Sequence, residues 1–308
     1  LAEAADSGNP YSLLQTIAAR HNLVGLESSA HIIREAYMCV PGCQEAMHHA
    51  LSRRGFIRGS VAAGFAANAA PAASAPAPRQ FKTVVDLTHV MSPTFPTFDG
   101  SPGIEMQRIG ELKKDGYNIY RWNLIEHAGT HLDAPIHFSE NGITAEKISA
   151  DTLVAPLVVV DVAAKAAQNA DYLLSRDDLL AWERRHGRLP ENCCVAMHCG
   201  WAQHVGDAAK FTGKDAGGTL HFPGFSAEAA EWLMKQRNVV GIAVDTLSLD
   251  HGPSKDFKTH RLWLPSGRWG LENVVNLDKV PAVGVILVVG VAKIKDATGG
   301  PARLLALV

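Results

Sequence analysis

The sequence predicts an α/β fold with more sheet than helix, and three observations carry that expectation. Short runs rich in Val, Ile, Leu and Cys recur between Gly, Pro and Asp residues. Two longer segments space their apolar residues helically, each opened by a serine. From residue 81 onward no internal repeat or linker interrupts the chain, so one domain is expected there.

The expected strands, in order, are residues 84–88, 117–125, 153–162, 194–198, 239–244, 285–291 and 304–308. Each is short, β-branched or aliphatic, and bounded by turn formers. The expected helices are 175–186 and 226–237. The hydroxyl of Ser175 or Ser226 is suited to accept a hydrogen bond from an N–H of the first turn, which otherwise lacks a partner.

The first eighty residues differ in kind. Residues 62–78 read AAGFAANAAPAASAPAP, with too few large apolar groups to build a packed face. Upstream stands Ser52-Arg53-Arg54-Gly55-Phe56-Ile57, then Arg58 and a weakly apolar stretch. This resembles a bacterial twin-arginine export signal, with Ala67-Asn68-Ala69 as a cleavage site. The expectation is a periplasmic protein with three parts: an extension over 1–37, of no assigned function, a signal and Ala/Pro region over 38–75, and a folded domain over 76–308. The apolar stretch is too short to span a bilayer, so no stable membrane anchor is expected.

Charge narrows the function. With 29 Lys+Arg against 31 Asp+Glu, the formal charge is −2, and no overall basic field exists to hold a nucleic-acid backbone or an anionic membrane. A small molecule is the expected partner. No Gly-x-Gly-x-x-Gly or Walker loop implies a nucleotide, and Gly-x-Ser-x-Gly is missing. Cys193, Cys194 and Cys199 flank a strand and are read as buried structural thiols, the alternative being a thiol nucleophile.

The most informative run is Glu126-His127-Ala128-Gly129-Thr130-His131-Leu132-Asp133-Ala134-Pro135-Ile136-His137. Imidazoles and carboxylates at this density are costly to bury unless paired or ligated. With a turn at Gly129, an extended segment beyond it would point 131, 133, 135 and 137 to one side, and His127 could join across the bend. Two imidazoles and a carboxylate suit zinc or manganese, and His137 is left free to move protons.

At every fixed position this run matches His-x-Gly-Thr-His-x-Asp-x-Pro-x-His. On that motif the chain resembles the cyclase family of metal-dependent hydrolases, which includes isatin hydrolase and bacterial kynurenine formamidase. The resemblance implies a swivelling β/β/α domain, a mixed sheet with flanking helices, assembled as a homodimer or a dimer of dimers. It implies that His127, His131 and Asp133 are metal ligands and that His137 is the proton donor and acceptor. It further implies that His260 and, twelve residues on, Glu272 complete a binuclear site, with Asp133 and Glu272 bridging. Some relatives work with one ion, so the implied cofactor is one or two Mn or Zn ions. Read without the family, His260 and Glu272 are polar residues suited to a surface. Phe95, Pro96 and Phe98 stand where family members set aromatic residues against the substrate, a place core packing also explains. His221, ahead of a Pro-Gly turn, is read as lining the pocket or as a turn histidine. Asp245 resembles a strand-end residue near the site and is not taken as a ligand. The implied activity is hydrolysis of a small cyclic amide or lactone; the alternatives are an aryl-formamidase and a non-catalytic periplasmic metal or small-molecule binding protein.

Overall fold

Strand pairing organises the chain. A computed structural model describes residues 80–308, which belong to the unit Pro78–Val308. The twin-arginine segment and the extension before it lie outside the described residues. In chain order the strands are β1 (Val84–Asp86), β2 (Ile104–Gly110), β3 (Ile119–Leu124), β4 (His131–Asp133), β5 (Val154–Asp161) and β6 (Leu173–Leu174). They continue with β7 (Cys193–His198), β8 (Gly224–Phe225), β9 (Val239–Val244), β10 (Trp269–Glu272), β11 (Val285–Val291) and β12 (Gly299–Leu307). Three helices matter to the site's frame: α1 (Arg176–His186), α2 (Ala227–Gln236) and α3 (Lys258–Trp263).

Eight strands form a mixed sheet in the order β1-β12-β11-β5-β7-β9-β10-β4, with β4 pairing β12 as well. That last pairing closes the sheet on itself. The run β5-β7-β9-β10 is parallel, and its middle strands are buried on both faces, so they read as unbroken apolar sequence. Alternation sorts their side chains. Val158, Val160, Val195, Met197, Ile242 and Val244 point to a helical layer holding Leu179, Trp182, Ala230, Leu233 and Trp263. Leu157, Val159, Cys194, Ala196 and Ala243 point the other way, into a core shared with Leu132, Leu271, Leu287 and Leu304. Small residues at 194, 196 and 243 suit the narrow inside of a closed sheet.

Both expected helices form. Ser175 caps α1 in a reciprocal box with Asp178, and Ser226 accepts from Ala229 N at 3.0 Å. Arg237, at the end of α2, stacks on Trp232 at 4.3 Å and clamps Glu183 of α1 through Nε–Oε1 at 2.7 Å and Nη2–Oε2 at 2.6 Å. This bond to Arg237 holds the Glu183 carboxyl below its ordinary 4.5. Since the folded value lies below the unfolded one, the stabilisation is full above pH 4.5 and is lost as pH falls through the folded value. Arg237→Ala should therefore cost about 2 kcal/mol at pH 7, and less once the pH is low enough to protonate Glu183, in urea unfolding of the two proteins.

Two expectations need correction. Residues 131–137 are not one extended segment: β4 stops at Asp133 and Pro135–Phe138 is a 3-10 turn, because Pro135 has no N–H for the ladder and opens a helical turn readily. The last strand begins at Gly299 rather than 304, its glycines sitting where β4 crosses close: a Cβ on Gly299 would lie 2.3 Å from Leu132 O. Strands β2, β6, β8 and β10 went unread in the sequence, and β4 is the part of the expected extended segment that forms. The hairpin β2–β3 stands as its own two-stranded sheet and leaves Tyr120, Trp122 and Leu124 exposed. No helix among the described residues is long and apolar enough to cross a membrane.

Candidate metal centre

The site lies where the sheet closes. β4 sits antiparallel between β10 and β12, and its register sets His131 opposite Glu272. Strand alternation sends Leu132 into the core and turns His131 and Asp133 to the other side. Gly129, at φ +66°, folds the preceding segment back so that His127 Nδ1 comes 2.7 Å from Asp133 Oδ1. A side chain there would be strained and would run into Met91 Sδ.

From far along the chain, α3 brings His260, whose Nε2 lies 3.4 Å from Asp133 Oδ2 and 3.1 Å from Glu272 Oε1. His131 Nε2 lies 3.2 Å from Asp133 Oδ1 and 3.3 Å from Glu272 Oε2. The 3-10 turn lays His137 flat on His127, with ring centroids 3.7 Å apart and planes at 17°. Thus six residues expected at the centre meet in one place: His127, His131, Asp133, His137, His260 and Glu272. The surface reading of His260 and Glu272 fails, since they are 4% and 5% exposed.

The donors fit a cation. His131 Nε2 and Asp133 Oδ2 are buried and lack a hydrogen-bond partner, although His131 Nε2 stands 3.2 Å from Asp133 Oδ1 and His260 Nε2 stands 3.4 Å from Asp133 Oδ2. Atoms crowded without mutual hydrogen bonds are converging on a shared point. The electrostatics agree. Burial alone would lower the His131 imidazolium, but Asp133 and Glu272 outweigh it and raise the group to about 10. His260 is raised in the same way against its burial, through Asp133, Asp250 and Glu272. Burial pushes Asp133 up, and the three histidines around it more than reverse this, holding it well below the carboxylate range. Two buried carboxylates thus demand positive charge, and imidazole nitrogen with carboxylate oxygen is a donor set that zinc and manganese accept. His137 differs: burial lowers its imidazole to about 4, so the ring is neutral at pH 7, and among the described residues the ring makes no hydrogen bond; the backbone N–H of His137 donates to Ala134 O at 2.9 Å.

Several contributors carried no signal in the sequence. Asp250 accepts from His260 Nδ1 at 2.6 Å, from His260 N at 3.1 Å and from Thr259 N at 2.8 Å. Thr298 Oγ1 lies 2.9 Å from His127 Nε2 and donates to Glu126. Asn273 Nδ2 donates to Gly129 O at 2.9 Å, the carbonyl that also accepts from His131 Nδ1. These residues stand in no local motif.

The other expected contacts are more distant. Phe98 packs on Phe257 at 6.1 Å, and Phe257 meets His260 at 5.9 Å, so one ring separates Phe98 from the centre. Phe95 and Phe98 line a cavity of about 410 Å³ with Pro96, Ala209 and Leu220. Phe95 also meets His89 edge-on at 5.6 Å. His221 makes no contact with the histidine cluster: Asp171 takes its Nδ1 at 2.9 Å and Asp215 stands 3.5 Å from its Nε2, so two carboxylates of neighbouring loops hold it. Cys193, Cys194 and Cys199 are buried; burial raises the Cys193 thiol to about 12 and the other two well above the ordinary value, which removes the thiolate a nucleophile needs. Asp245 accepts from Cys199 N at 3.1 Å and Trp201 N at 3.0 Å, a turn-holding role.

A mixed, closed sheet with a His/Asp/Glu centre at its seam defines a metal-site α/β protein. The Cyclase family model ("Putative cyclase") matches residues 85–251. Isatin hydrolase of Roseibium aggregatum is 35% identical over 244 residues, 73% of this chain and 91% of that protein. Kynurenine formamidase of Paracidovorax citrulli is 26% identical over 73% of this chain and 95% of that protein. The structure of isatin hydrolase A from Ralstonia solanacearum superposes with a TM-score of 0.69 at 33% identity, covering 89% of this chain and all of that one (100%). The chain belongs to the cyclase family.

Proposed function

We propose that the chain is a metal-dependent hydrolase that opens a small cyclic amide of the isatin type. One observation carries the reading: the neutral imidazole of His137, with no hydrogen bond of its own among the described residues, is stacked beside a buried His/Asp/Glu cluster whose nitrogens and oxygens converge. The identity to isatin hydrolase supports the substrate class. His127, His131, Asp133, His260 and Glu272 would hold one or two divalent ions, manganese or zinc, which when bound would supply Lewis acidity toward a carbonyl oxygen and water.

The chain's own groups do the rest. His137 accepts the proton from water as it attacks the amide carbonyl and passes it to the departing ring nitrogen, leaving a carboxylate and an amine. The Phe138 and Phe257 rings, tilted at 4.8 Å and edge-on at 5.9 Å to His260, shield that side of the centre from water. A protein that only stored metal or bound a small molecule would have no use for an additional unligated histidine in this position.

Purified full-length chain should contain bound metal, hydrolyse isatin, and lose that activity on chelation. Turnover of N-formylkynurenine in place of isatin would point to the aryl-formamidase reading, which the 26% relation supports less. Metal without turnover of either would point to the binding protein. We also read the protein as exported to the periplasm, on Arg53-Arg54 and the segment after them. A homodimer or dimer of dimers is supported by the exposed hairpin, where Trp122 is 61% accessible and an isolated two-stranded sheet is weak by itself.

A further inference from the structure

The parallel strands β9 and β10 open on Val239 and Trp269, while Glu272 of the centre closes β10. Three strand steps separate Trp269 from Glu272, a distance of about 10 Å. Against these strand starts the chain over 143–152 leaves a cavity of about 340 Å³, and no residue of the metal centre lines it. Its lining holds one ionisable group, Arg268, and no carboxylate.

Arg268 is half-buried and held from three directions. Its Nε donates to Val239 O at 2.8 Å, its Nη1 donates to Ser266 Oγ at 3.0 Å, and the guanidinium lies over the Trp263 ring at 5.6 Å. Ser266 gives its own proton to Trp263 O at 2.5 Å, so toward Arg268 it only accepts. Nη2 makes no hydrogen bond, and the side chain no ion pair, among the described residues. Burial pushes the guanidinium down from its ordinary value, as expected of a charge drawn from water without an acid beside it. Arginine stays charged even so, which leaves an uncompensated positive group in a fixed orientation.

The rest of the lining narrows the class of anion that answers it. The Ser149 hydroxyl, exposed at the rim, makes no hydrogen bond among the described residues and is a second donor. Thr152 is not available: its Oγ1 donates to Ser149 O at 2.9 Å and accepts from Trp269 Nε1 at 3.4 Å. One guanidinium nitrogen and one hydroxyl match a carboxylate and fall short of what a dianionic phosphate requires. Ile143, Ile148 and Trp269 add an apolar wall, and the volume lies at the small end of ligand pockets.

We propose that this cavity is a binding site, separate from the metal centre, for a small organic carboxylate with an apolar body. Arg268 meets the carboxylate through Nη2, the Ser149 hydroxyl supports it, and Ile143 and Ile148 face the apolar part. The site stands apart from the hydrolase reading, since none of the six residues of the centre takes part in it.

The test is calorimetric titration of the full-length, metal-loaded chain with sodium benzoate, with benzamide and inorganic phosphate as comparisons. Benzoate should bind with a dissociation constant of roughly a millimolar. Benzamide has its shape without the charge, and phosphate has charge without the apolar body; each should bind at least about tenfold more weakly. Arg268→Gln should weaken benzoate by at least about the same factor. Ile143→Trp, at an exposed side chain, fills the cavity without touching Arg268 and should weaken benzoate as well. Benzoate affinity within about twofold of wild type in Arg268→Gln, or in Ile143→Trp if Arg268→Gln does not fold, overturns the proposal and assigns benzoate to another site such as the metal centre. Benzamide or phosphate binding as tightly as benzoate overturns it too, as does a lack of benzoate binding up to roughly 20 mM. Loss of isatin turnover without loss of benzoate binding would count against the hydrolase reading alone.

Discussion

Asp133→Ala is expected to strip the protein of its metal and to lower hydrolysis by about a thousandfold or more, since a bound divalent ion is worth several kcal/mol of transition-state stabilisation. Among the described residues no other side chain is met by three histidines: Asp133 has His127 at 2.7 Å, His131 at 3.2 Å and His260 at 3.4 Å. Its removal leaves Glu272 as the carboxylate between His131 and His260, with Asp250 behind the His260 ring. Metal analysis of dialysed protein and kcat/KM for the same sample check the two effects together. Retention of wild-type metal content would show that Asp133 is a structural partner of the histidines and not a ligand. Asp133→Asn keeps the shape and removes the charge, so it separates loss of charge from creation of a hole: the same loss of metal in both variants assigns the effect to charge.

His137→Ala is expected to do something different: metal content stays near wild type while kcat falls roughly 100- to 10,000-fold, the usual worth of a positioned general acid–base group. The reasons are geometric and electrostatic. His137 lies stacked on His127, whereas the buried Asp133–Glu272 pair is met edge-on by His131 and His260. Burial holds its imidazole at about 4, so at neutral pH it is uncharged and ready to take a proton. Its atoms nonetheless come near enough to His127 and Asp133 to form a ligand group with them. The metal content of the variant therefore discriminates: metal lost along with activity would make His137 a ligand, and metal kept would make it the proton carrier. Stopped-time assays across pH should show the residual activity of the variant rising with added small imidazole bases, which supply the missing proton acceptor.

Much of the fold was legible because of what burial demands of a strand. The runs 239–244 and 285–291 were read to their exact ends, since strands buried by neighbours on both sides are continuous apolar sequence between turn residues. α1 and α2 were legible from their serine caps. β10 was not, and β4 was legible only as part of an extended segment drawn too long, for the opposite reason. They are three and four residues long, and they carry His131, Asp133 and Glu272, which no strand pattern favours. They exist as strands because β9 and β12 offer them backbone partners, a non-local cause that no window of sequence contains. β10 further depends on Gly241, whose missing Cβ leaves room for the Trp269 ring.

The centre divides in the same way. His127, His131, Asp133 and His137 were determined by the sequence itself: eleven residues hold the whole group, a left-handed glycine reverses the chain between the first two, and strand alternation aligns the next two. Only the tertiary structure decided the rest. His260 and Glu272 become buried partners of Asp133, and Asp250 and Thr298 come to stand behind the rings, because β4 is drawn between β10 and β12 and the sheet closes there. Local stereochemistry can aim neighbours along one strand, but groups more than a hundred residues apart meet only when long-range backbone pairing and core burial repay the entropy of bringing them together.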